Sequence, residues 1–455
     1  MAKAKTAYVC NDCGAEYSKW QGQCGECNAW NTLSEVRLAS GKSPKQEPRG
    51  GYAGGGSALV TPLAKVSESE EQRTLIGIGE LDRVLGGGLV RGSVVLIGGD
   101  PGIGKSTLVL QALAALAGRS KTLYVTGEES LGQVAARARR LGLSLDAIDA
   151  LADTGIERIL DTAIAQKPDF LVIDSIQTMY SDQIESAPGS VSQVRESAAR
   201  LVRHAKESGC AVFLIGHVTK EGGIAGPRVL EHMVDAVLYF EGEAGSRFRV
   251  LRAFKNRFGA VNELGVFAMG DKGLREVPNP SAIFLSNHGE PTPGSAIMVT
   301  REGTRPLLVE VQALVDQSPL ANPRRVALGL EQNRLAMLLA VLHKHGGFAL
   351  YDQDVFVNVV GGIRVQETAA DLPVLLAALS SFRNRPLGPH LAVFGEVGLA
   401  GEIRPVPNGE ERIREAASHG FERIVVPKAN APKKAPAGIR IIAVERLAEA
   451  IAVLD

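Results

Sequence analysis

Residues 99–106 read G-D-P-G-I-G-K-S and have the types and spacing with the clearest chemistry in this chain. They match G-x-x-x-x-G-K-[ST], the pattern of a phosphate-binding loop. An apolar run at 94–97 precedes the loop, and a helical pattern at 108–116 follows it. Glycines let successive backbone N–H groups turn toward one point, and the helix N-terminus adds partial positive charge there. The sequence therefore predicts an ATP site.

Nine consecutive residues are expected to contact the nucleotide. They are Gly99, Asp100, Pro101, Gly102, Ile103, Gly104, Lys105, Ser106 and Thr107. Lys105 would reach the β- and γ-phosphates, and Ser106 would hold Mg²⁺. A chance glycine-rich turn before a helix is the alternative, and the agreement between the motif and its flanking pattern argues against it.

Hydrolysis also needs carboxylates outside the loop. Asp174 ends the apolar run 171–173 and would bind Mg²⁺ through water, although an acid there can also cap a helix. Glu128 and Glu129 follow another strand pattern, where a carboxylate can orient and deprotonate the attacking water. Glu128 is the first choice, and a favourable acidic pair at a helix start is the alternative. His217 is either a sensor of the γ-phosphate or a structural histidine.

The N-terminus carries a second kind of site. Four of the five cysteines lie within the first 27 residues, as Cys10-x-x-Cys13, ten intervening residues, and Cys24-x-x-Cys27. Two such pairs close a tetrahedral S₄ site that suits Zn²⁺. So short a segment cannot fold on hydrophobic burial alone, so the metal would supply folding energy. Two redox dithiols or unrelated cysteines are the alternative.

Composition limits the classes of protein to consider. The chain has 455 residues, with 50 Lys and Arg against 50 Asp and Glu, so bulk charge favours neither nucleic acid nor membrane as a partner. The sequence shows no signal-like N-terminus and no apolar run long enough to span a bilayer. We therefore expect a cytoplasmic protein of two or three domains, with any nucleic-acid surface confined to a local patch.

The pattern along the chain predicts four segments: a cysteine module over 1–32, a flexible linker over 33–72, an ATPase core over 73–275 and a second α/β region over 276–455. In the core, apolar runs alternate with helical patterns, which is typical of a mostly parallel sheet with helices on both faces. The predicted core strands are 94–97, 122–126, 170–173, 212–215 and 236–240, with an antiparallel pair at 248–254 and 265–269. The predicted core helices are 105–117, 130–141, 155–166 and 190–207. In the last segment, strands are predicted at 307–314 and 391–397, and helices at 334–345, 369–382 and 410–418.

These pieces together resemble the RecA-type ATPases, and closely the RadA (Sms) family of bacterial DNA repair proteins. The resemblance covers essentially the whole chain. It rests on the cysteine module, the phosphate-binding loop and the stretches 77–92, 126–130, 171–175, 216–222 and 255–259. It implies an α/β fold with a RecA-like P-loop ATPase core, an N-terminal Cys₄ zinc ribbon and a C-terminal Lon-protease-like α/β domain.

The stretch 255–259, K-N-R-F-G, is the signature of that resemblance. By spacing, Lys255 and Arg257 resemble the K-x-R element of replicative hexameric helicases, in which the two basic residues reach the ATP of the neighbouring subunit. An arginine supplied in this way stabilises charge in the transition state. The resemblance therefore implies a homo-oligomer, with a hexameric ring expected; an ordinary basic turn is the alternative.

RecA-like proteins face DNA with two loops, which correspond here to 177–193 and 219–228. Lys220 and Arg228 in the second loop are the candidate DNA-binding residues, since cations there can contact phosphates and the glycines allow a close approach. A simply solvated loop is the alternative. Asp182 and Glu185 weaken the case for the first loop.

The C-terminal region resembles the proteolytic domain of Lon through 395–397, 401–407 and 423–427. That chemistry needs a serine nucleophile and a lysine. Ala370 stands at the serine position, and the helix that should carry the lysine, 410–414, contains none. We therefore expect no protease activity.

The resemblance implies a DNA-dependent ATPase of the DNA-damage response that binds single-stranded DNA and processes branched recombination intermediates with RecA, by branch migration or helicase-like translocation. Its cofactors would be ATP, Mg²⁺ and Zn²⁺.

A second hypothesis is a nucleotide-switched regulator resembling the clock protein KaiC, which shares the paired glutamates. The zinc module and K-N-R-F-G argue against that hypothesis. An ATP-dependent protease is the third.

Overall fold

The computed structural model describes residues 5–38, 72–217, 230–242, 246–285, 292–362 and 364–454. The chain divides into two compact units, Met1–Val277 and Pro278–Asp455. Among the described residues, none of the helices combines the length and apolar character that a membrane span requires.

The N-terminal module is a small antiparallel sheet. Its strands are β1 (Lys5–Cys10), β2 (Glu16–Tyr17) and β3 (Leu33–Leu38), in the order β2-β1-β3. Strand β3 pairs with β1 along its whole length, from Leu33 opposite Cys10 onward. The module therefore extends past residue 32, where the sequence prediction ended it, because the closing strand lies beyond the last cysteine.

The rest of the first unit is built around one large sheet. Its strands, with the short pair β4 and β5 outside it, are β4 (Arg73–Thr74), β5 (Leu89–Val90), β6 (Val94–Gly99), β7 (Thr122–Thr126), β8 (Ile148–Ala152), β9 (Phe170–Asp174), β10 (Ala211–Ile215), β11 (Ala236–Glu241), β12 (Phe248–Asn256), β13 (Leu264–Gly270) and β14 (Gly273–Glu276). Its helices are α1 (Gly79–Val84), α2 (Lys105–Leu116), α3 (Leu131–Arg140), α4 (Ile156–Gln166) and α5 (Val191–Ser208), with a 3₁₀ turn at Ile176–Thr178.

The nine strands of this sheet run in the order β14-β13-β12-β11-β6-β10-β9-β7-β8. From β11 to β8 all neighbours are parallel, whereas β12, β13 and β14 are antiparallel additions. Strands β6, β7, β9 and β10 are buried along their whole length, because helices cover both faces, which is why each reads as a continuous apolar run. The five predicted parallel strands and four predicted helices of the core are confirmed, with ends shifted by one or two residues.

Two strands of this sheet were not predicted. Strand β8 lies at one edge, and its residues are exposed or half-buried, with the charged Asp149 as its second residue. Strand β14, at the other edge, has only its first two residues buried. Edge strands carry too little apolar pattern to be distinguished from loops.

The second unit contains a seven-stranded sheet in the order β17-β18-β16-β15-β19-β22-β23, and a separate pair, β20 with β21. Its strands are β15 (Ser295–Glu302), β16 (Arg305–Gln317), β17 (Arg325–Leu328), β18 (Gln353–Val359), β19 (Leu391–Val393), β20 (Glu396–Val397), β21 (Ile403–Arg404), β22 (Arg423–Pro427) and β23 (Arg440–Val444). Its helices are α6 (Ser281–Phe284), α7 (Gln332–Val341), α8 (Asp371–Phe382), α9 (Gly409–Ser418) and α10 (Leu447–Ala452), and α7 runs on into a π-helical turn, Leu342–Gly346.

The prediction of a single strand over 391–397 is wrong, because the chain leaves the large sheet after Val393. The N–H of Gly395 donates to the carbonyl of Ala369 at 3.0 Å, in the turn before α8. The apolar run therefore splits into β19 and β20, and the break brings residues 395–397 next to the start of α8.

Candidate nucleotide site and zinc site

The phosphate-binding loop joins the buried strand β6 to helix α2. Gly102 and Gly104 have φ angles of +78° and +120°, values that favour glycine. A Cβ on Gly99 would lie 2.8 Å from the carbonyl oxygen of Phe240, whereas one on Gly102 would meet no atom within 4 Å. The loop thus packs tightly on its sheet side and is open on its other side. The first N–H groups of α2 have no partner within the helix, so the loop fits an anion such as a nucleotide phosphate.

Lys105 begins α2, and its side chain folds back over the loop. Its Nζ donates to the carbonyls of Gly99 and Asp100, at 2.7 and 2.9 Å. Burial lowers the pKa of Lys105, and the carboxylates of Asp174, Asp100 and Glu128 oppose that shift. The ammonium group is thus held against the loop carbonyls, and the three carboxylates favour its charged form.

Asp174 is the last residue of β9 and is 7% exposed. Tyr124, fully buried in β7, donates its hydroxyl hydrogen bond to Oδ2 of Asp174. Burial raises the pKa of Tyr124, and the Asp174 charge adds to the rise, so the phenol keeps its proton. Sequence reasoning missed Tyr124; its only signal was a polar-tipped aromatic residue within an apolar strand.

The structure distinguishes the two adjacent glutamates. Glu129 forms a salt bridge with Arg137 of α3, and its backbone N–H donates to Thr126 Oγ1 at 3.1 Å. Oε1 of Glu128 accepts a hydrogen bond from Ser175 and lies 3.1 Å from Nε2 of His217. Glu129 is therefore engaged by α3, whereas Glu128 faces the ends of the neighbouring strands.

Parallel strands bring their carboxyl ends to one edge of the sheet, and this places the separate motifs together. Strands β6, β10, β9 and β7 are consecutive neighbours in the sheet. Gly99 ends β6 and Asp174 ends β9, whereas Glu128 follows β7 and His217 follows β10. Ser106, in the first turn of α2, lies at the same edge. Ser106 and Asp174 supply the hydroxyl and carboxylate oxygens that Mg²⁺ prefers.

The two basic residues of K-N-R-F-G lie at the opposite edge. The Arg257 N–H donates to the carbonyl of Asp235, and the Asp235 N–H donates to that of Val94, the first residue of β6. Since β6 is six residues long, this edge is about 17 Å from the phosphate-binding loop of the same chain. That separation exceeds the reach of an arginine side chain.

The Lys255 and Arg257 side chains differ in their freedom. Nζ of Lys255 donates to the carbonyls of Glu231 and Val234, at 2.6 and 2.8 Å. Burial lowers the pKa of Lys255, and the Arg257 charge adds to the effect. Arg257 is 55% exposed, and its guanidinium lies 3.4 Å from Oδ1 of Asp235.

Lys220 and Arg228, the predicted DNA-binding residues, lie outside the described residues.

The four cysteines converge on one point. Their Sγ atoms all lie within 4.8 Å of one another, with 3.7 Å between Cys10 and Cys27 and 3.4 Å between Cys13 and Cys24. A tetrahedral zinc–thiolate site has sulfurs about 3.8 Å apart. The Tyr17 hydroxyl, 3.3 Å from Sγ of Cys24, lowers the pKa of that thiol to about 6. The module thus fits Zn²⁺, and its closed set of four ligands is typical of a structural site.

Replacing Cys24 with serine is expected to abolish zinc binding and to unfold residues 5–38, because the buried hydrophobic cluster formed by the described side chains of this module consists of Cys10, Cys24 and Leu33. Metal analysis of the purified full chain would show the zinc content falling from about one ion per chain to near zero. Cys210→Ser is the control, because Cys210 directly precedes β10 and packs in the core of the large sheet, away from the four ligands. Retention of zinc by Cys24→Ser would contradict the assignment.

Comparisons with known proteins agree with these features. Residues 65–223 match an AAA domain, residues 8–35 a rubredoxin metal binding domain, and residues 331–430 the subunit ChlI of Mg-chelatase. With the topology above, they confirm the α/β fold class: a RecA-like P-loop ATPase core with an N-terminal Cys₄ zinc ribbon and a C-terminal Lon-protease-like domain.

Three full-length relatives carry the same name. The chain is 64% identical to DNA repair protein RadA of Pseudomonas aeruginosa over 451 residues, covering 99% of both chains. It is 62% identical to the Escherichia coli protein of the same name, covering 100% of both, and 49% identical to that of Bacillus subtilis, covering 99% of both.

Proposed function

We propose, from the premise that this chain belongs to the RadA family of bacterial DNA repair proteins, that it is a DNA-dependent ATPase whose ATP site is shared between neighbouring subunits. The observation that carries the proposal is the placement of its motifs on one sheet. The phosphate-binding loop, Asp174 and Glu128 share the carboxyl edge, while Arg257 lies at the other.

The residues at the carboxyl edge have separate tasks in hydrolysis. Backbone N–H groups of the loop and Lys105 hold the β- and γ-phosphates, and Ser106 and Asp174 would hold Mg²⁺. When bound, the metal neutralises charge that develops on the phosphate oxygens. Tyr124 fixes the Asp174 carboxylate through its hydrogen bond. Glu128 orients water and accepts its proton.

Glu128→Gln is expected to lower the rate of ATP hydrolysis by about 10²–10⁴-fold, because glutamine keeps the shape but cannot accept the proton. ATP binding should remain, since Glu128 is not among the loop residues that hold phosphate. Steady-state hydrolysis and equilibrium nucleotide binding measure the two effects. Glu129→Gln is the matched control: its carboxylate pairs with Arg137, so hydrolysis should change little. Equal losses in both variants would contradict the assignment of the base to Glu128.

Arg257 supports a shared site, because it lies too far from its own loop and is more than half exposed. In a closed ring each subunit offers this edge to the ATP site of the next, and the arginine then stabilises transition-state charge in trans. Lys255 is tied to two carbonyls of its own chain, so it positions the turn that carries Arg257 in this arrangement. We propose a hexameric ring by resemblance to the replicative helicases.

The DNA half of the proposal rests on family membership. Single-stranded DNA would bind the loop containing Lys220 and Arg228, where cations contact phosphates. ATP hydrolysis would then drive translocation, and with it branch migration of recombination intermediates in partnership with RecA.

The second unit supports a proposal of no protease activity. Ala370, at the nucleophile position, is a buried apolar residue without a reactive side chain. Arg412 of α9 is 1% exposed, and its guanidinium donates to both carboxylate oxygens of Glu367, at 2.8 and 2.6 Å. Arginine cannot serve as a base at neutral pH. The polar chemistry of this region therefore holds the fold together.

The proposed function is tested by measuring ATP hydrolysis of the full chain with and without single-stranded DNA, alongside its oligomeric state. We expect single-stranded DNA to accelerate hydrolysis and to favour the oligomer. If DNA alters neither quantity, a DNA-dependent motor is ruled out.

A further inference from the structure

Ser175 is a buried polar residue that the roles above do not use. It follows Asp174, is 0% exposed and precedes the 3₁₀ turn Ile176–Thr178. A serine at this position commonly caps the turn, yet the Ser175 side chain makes no capping hydrogen bond. Its hydroxyl donates to Oε1 of Glu128 instead. The hydroxyl of a fully buried residue is thus directed at the proposed general base.

The backbone is built to bring these two residues together. The N–H of Gly127 donates to the carbonyl of Asp174 at 2.8 Å, which joins the end of β7 to that of β9. A Cβ on Gly127 would lie 2.1 Å from Thr178 Oγ1 and 2.8 Å from Met179 Cε. Thr178 Oγ1 in turn donates to the Ser175 carbonyl at 2.8 Å. Only glycine permits this approach, and it sets Glu128 directly beside Ser175.

The two oxygens of Glu128 have different surroundings. Oε1 faces both the Ser175 hydroxyl and Nε2 of His217. Within the part of the chain that the structure describes, Oε2 has no protein partner. The Glu128 side chain is 42% exposed, so without such anchors it would sample several rotamers. The carboxylate is thus held through one oxygen while the other stays available to water.

We propose that Ser175 is a positioning residue for ATP hydrolysis, which holds the Glu128 carboxylate so that Oε2 faces the attacking water. In that step an O–H bond of water breaks and its proton passes to Oε2. The water oxygen bonds to the γ-phosphorus, and the bond from that phosphorus to the bridging oxygen breaks, so ADP leaves with the electron pair. This inference rests on the proposed role of Glu128 as the base. Correct orientation of a base is a large part of its effect, since small misplacements are costly.

The test is a set of full-chain variants assayed for kcat, KM for ATP and nucleotide affinity. Ser175→Ala should lower kcat by about tenfold and leave KM and affinity within about twofold, because the hydroxyl touches the base and not the nucleotide. Ser175→Thr restores a hydroxyl and should recover most of the rate. Ser197→Ala is the matched control: Ser197 is also 0% exposed, and its hydroxyl has no partner among the described residues, so its removal should leave kcat unchanged.

A double-mutant cycle separates positioning from general destabilisation. In the Glu128→Gln background Ser175→Ala should cause no further loss, because the group that it positions is already inactive. An equal tenfold loss in both backgrounds, or wild-type kcat in a folded Ser175→Ala protein, would overturn the inference while leaving Glu128 as the base. If Glu128→Gln itself hydrolyses ATP at the wild-type rate, the proposed base fails, and the role of Ser175 fails with it.

Discussion

Replacing Lys105 with alanine is expected to abolish ATP hydrolysis, with a loss of about 10³-fold or more. The Lys105 ammonium lies among the loop carbonyls and is 4% exposed. No other cation of the described chain takes part in these contacts. Alanine therefore removes the cation that the loop itself supplies to the phosphates, and the transition state loses that charge. Hydrolysis assays and binding of a fluorescent ATP analogue measure the effect.

The matched control for this variant is Lys121→Ala. Lys121 is an exposed lysine that precedes β7, and its removal should leave hydrolysis unchanged. A folded Lys105→Ala protein that hydrolysed ATP at the rate of the control would remove the phosphate-binding assignment of residues 99–107, and with it the proposed enzyme.

Replacing Arg257 with alanine is expected to spare ATP binding but to lower turnover by about 10³–10⁵-fold, the range found for arginine fingers. Binding should survive because the edge that carries Arg257 is remote from the loop of the same chain. Folding should survive because the contact with Asp235 is long, at 3.4 Å, and the side chain is 55% exposed. The buried Asp235 carboxylate also keeps its shorter salt bridge with Lys206, at 2.6 Å, when the Arg257 side chain is removed. The two readouts are nucleotide affinity and hydrolysis in the presence of single-stranded DNA.

Arg275→Ala is the control for Arg257. Arg275 is an exposed arginine of β14 in the same sheet, outside the K-N-R-F-G element. The Arg275→Ala variant should hydrolyse ATP at the wild-type rate. Sizing of both variants on a calibrated column distinguishes loss of catalysis from loss of the oligomer. Wild-type turnover by an Arg257→Ala oligomer would remove the finger assignment and leave the rest of the site intact.

Much of the candidate ATP site could be predicted from sequence because its parts are local patterns. The phosphate-binding loop is contiguous, and Asp174 and Glu128 each follow an apolar run that the structure shows as a buried strand. The parallel order of those strands then brings the motifs to one edge. The cysteine spacing likewise predicted the four-sulfur cluster.

The features that sequence reasoning missed depend on contacts between distant residues. The contact of Tyr124 with Asp174 spans 50 positions, and that of Ser175 with Glu128 spans 47. The ion pair of Arg412 with Glu367 is similarly remote, spanning 45 positions. Edge strand β8 was missed for a different reason, since half-exposed strands lose the apolar pattern on which prediction relies.

A subunit-mixing experiment tests the shared ATP site most directly. Lys105→Ala subunits lack a working loop but keep Arg257, whereas Arg257→Ala subunits keep the loop and lack the finger. In mixed oligomers formed from equal amounts of the two inactive proteins, about a quarter of the interfaces should pair an intact loop with an intact arginine. ATP hydrolysis should therefore reappear on mixing, at up to about a quarter of the wild-type rate. If oligomers shown to contain both subunits remain inactive, the ATP site is not completed by Arg257 of a neighbouring subunit.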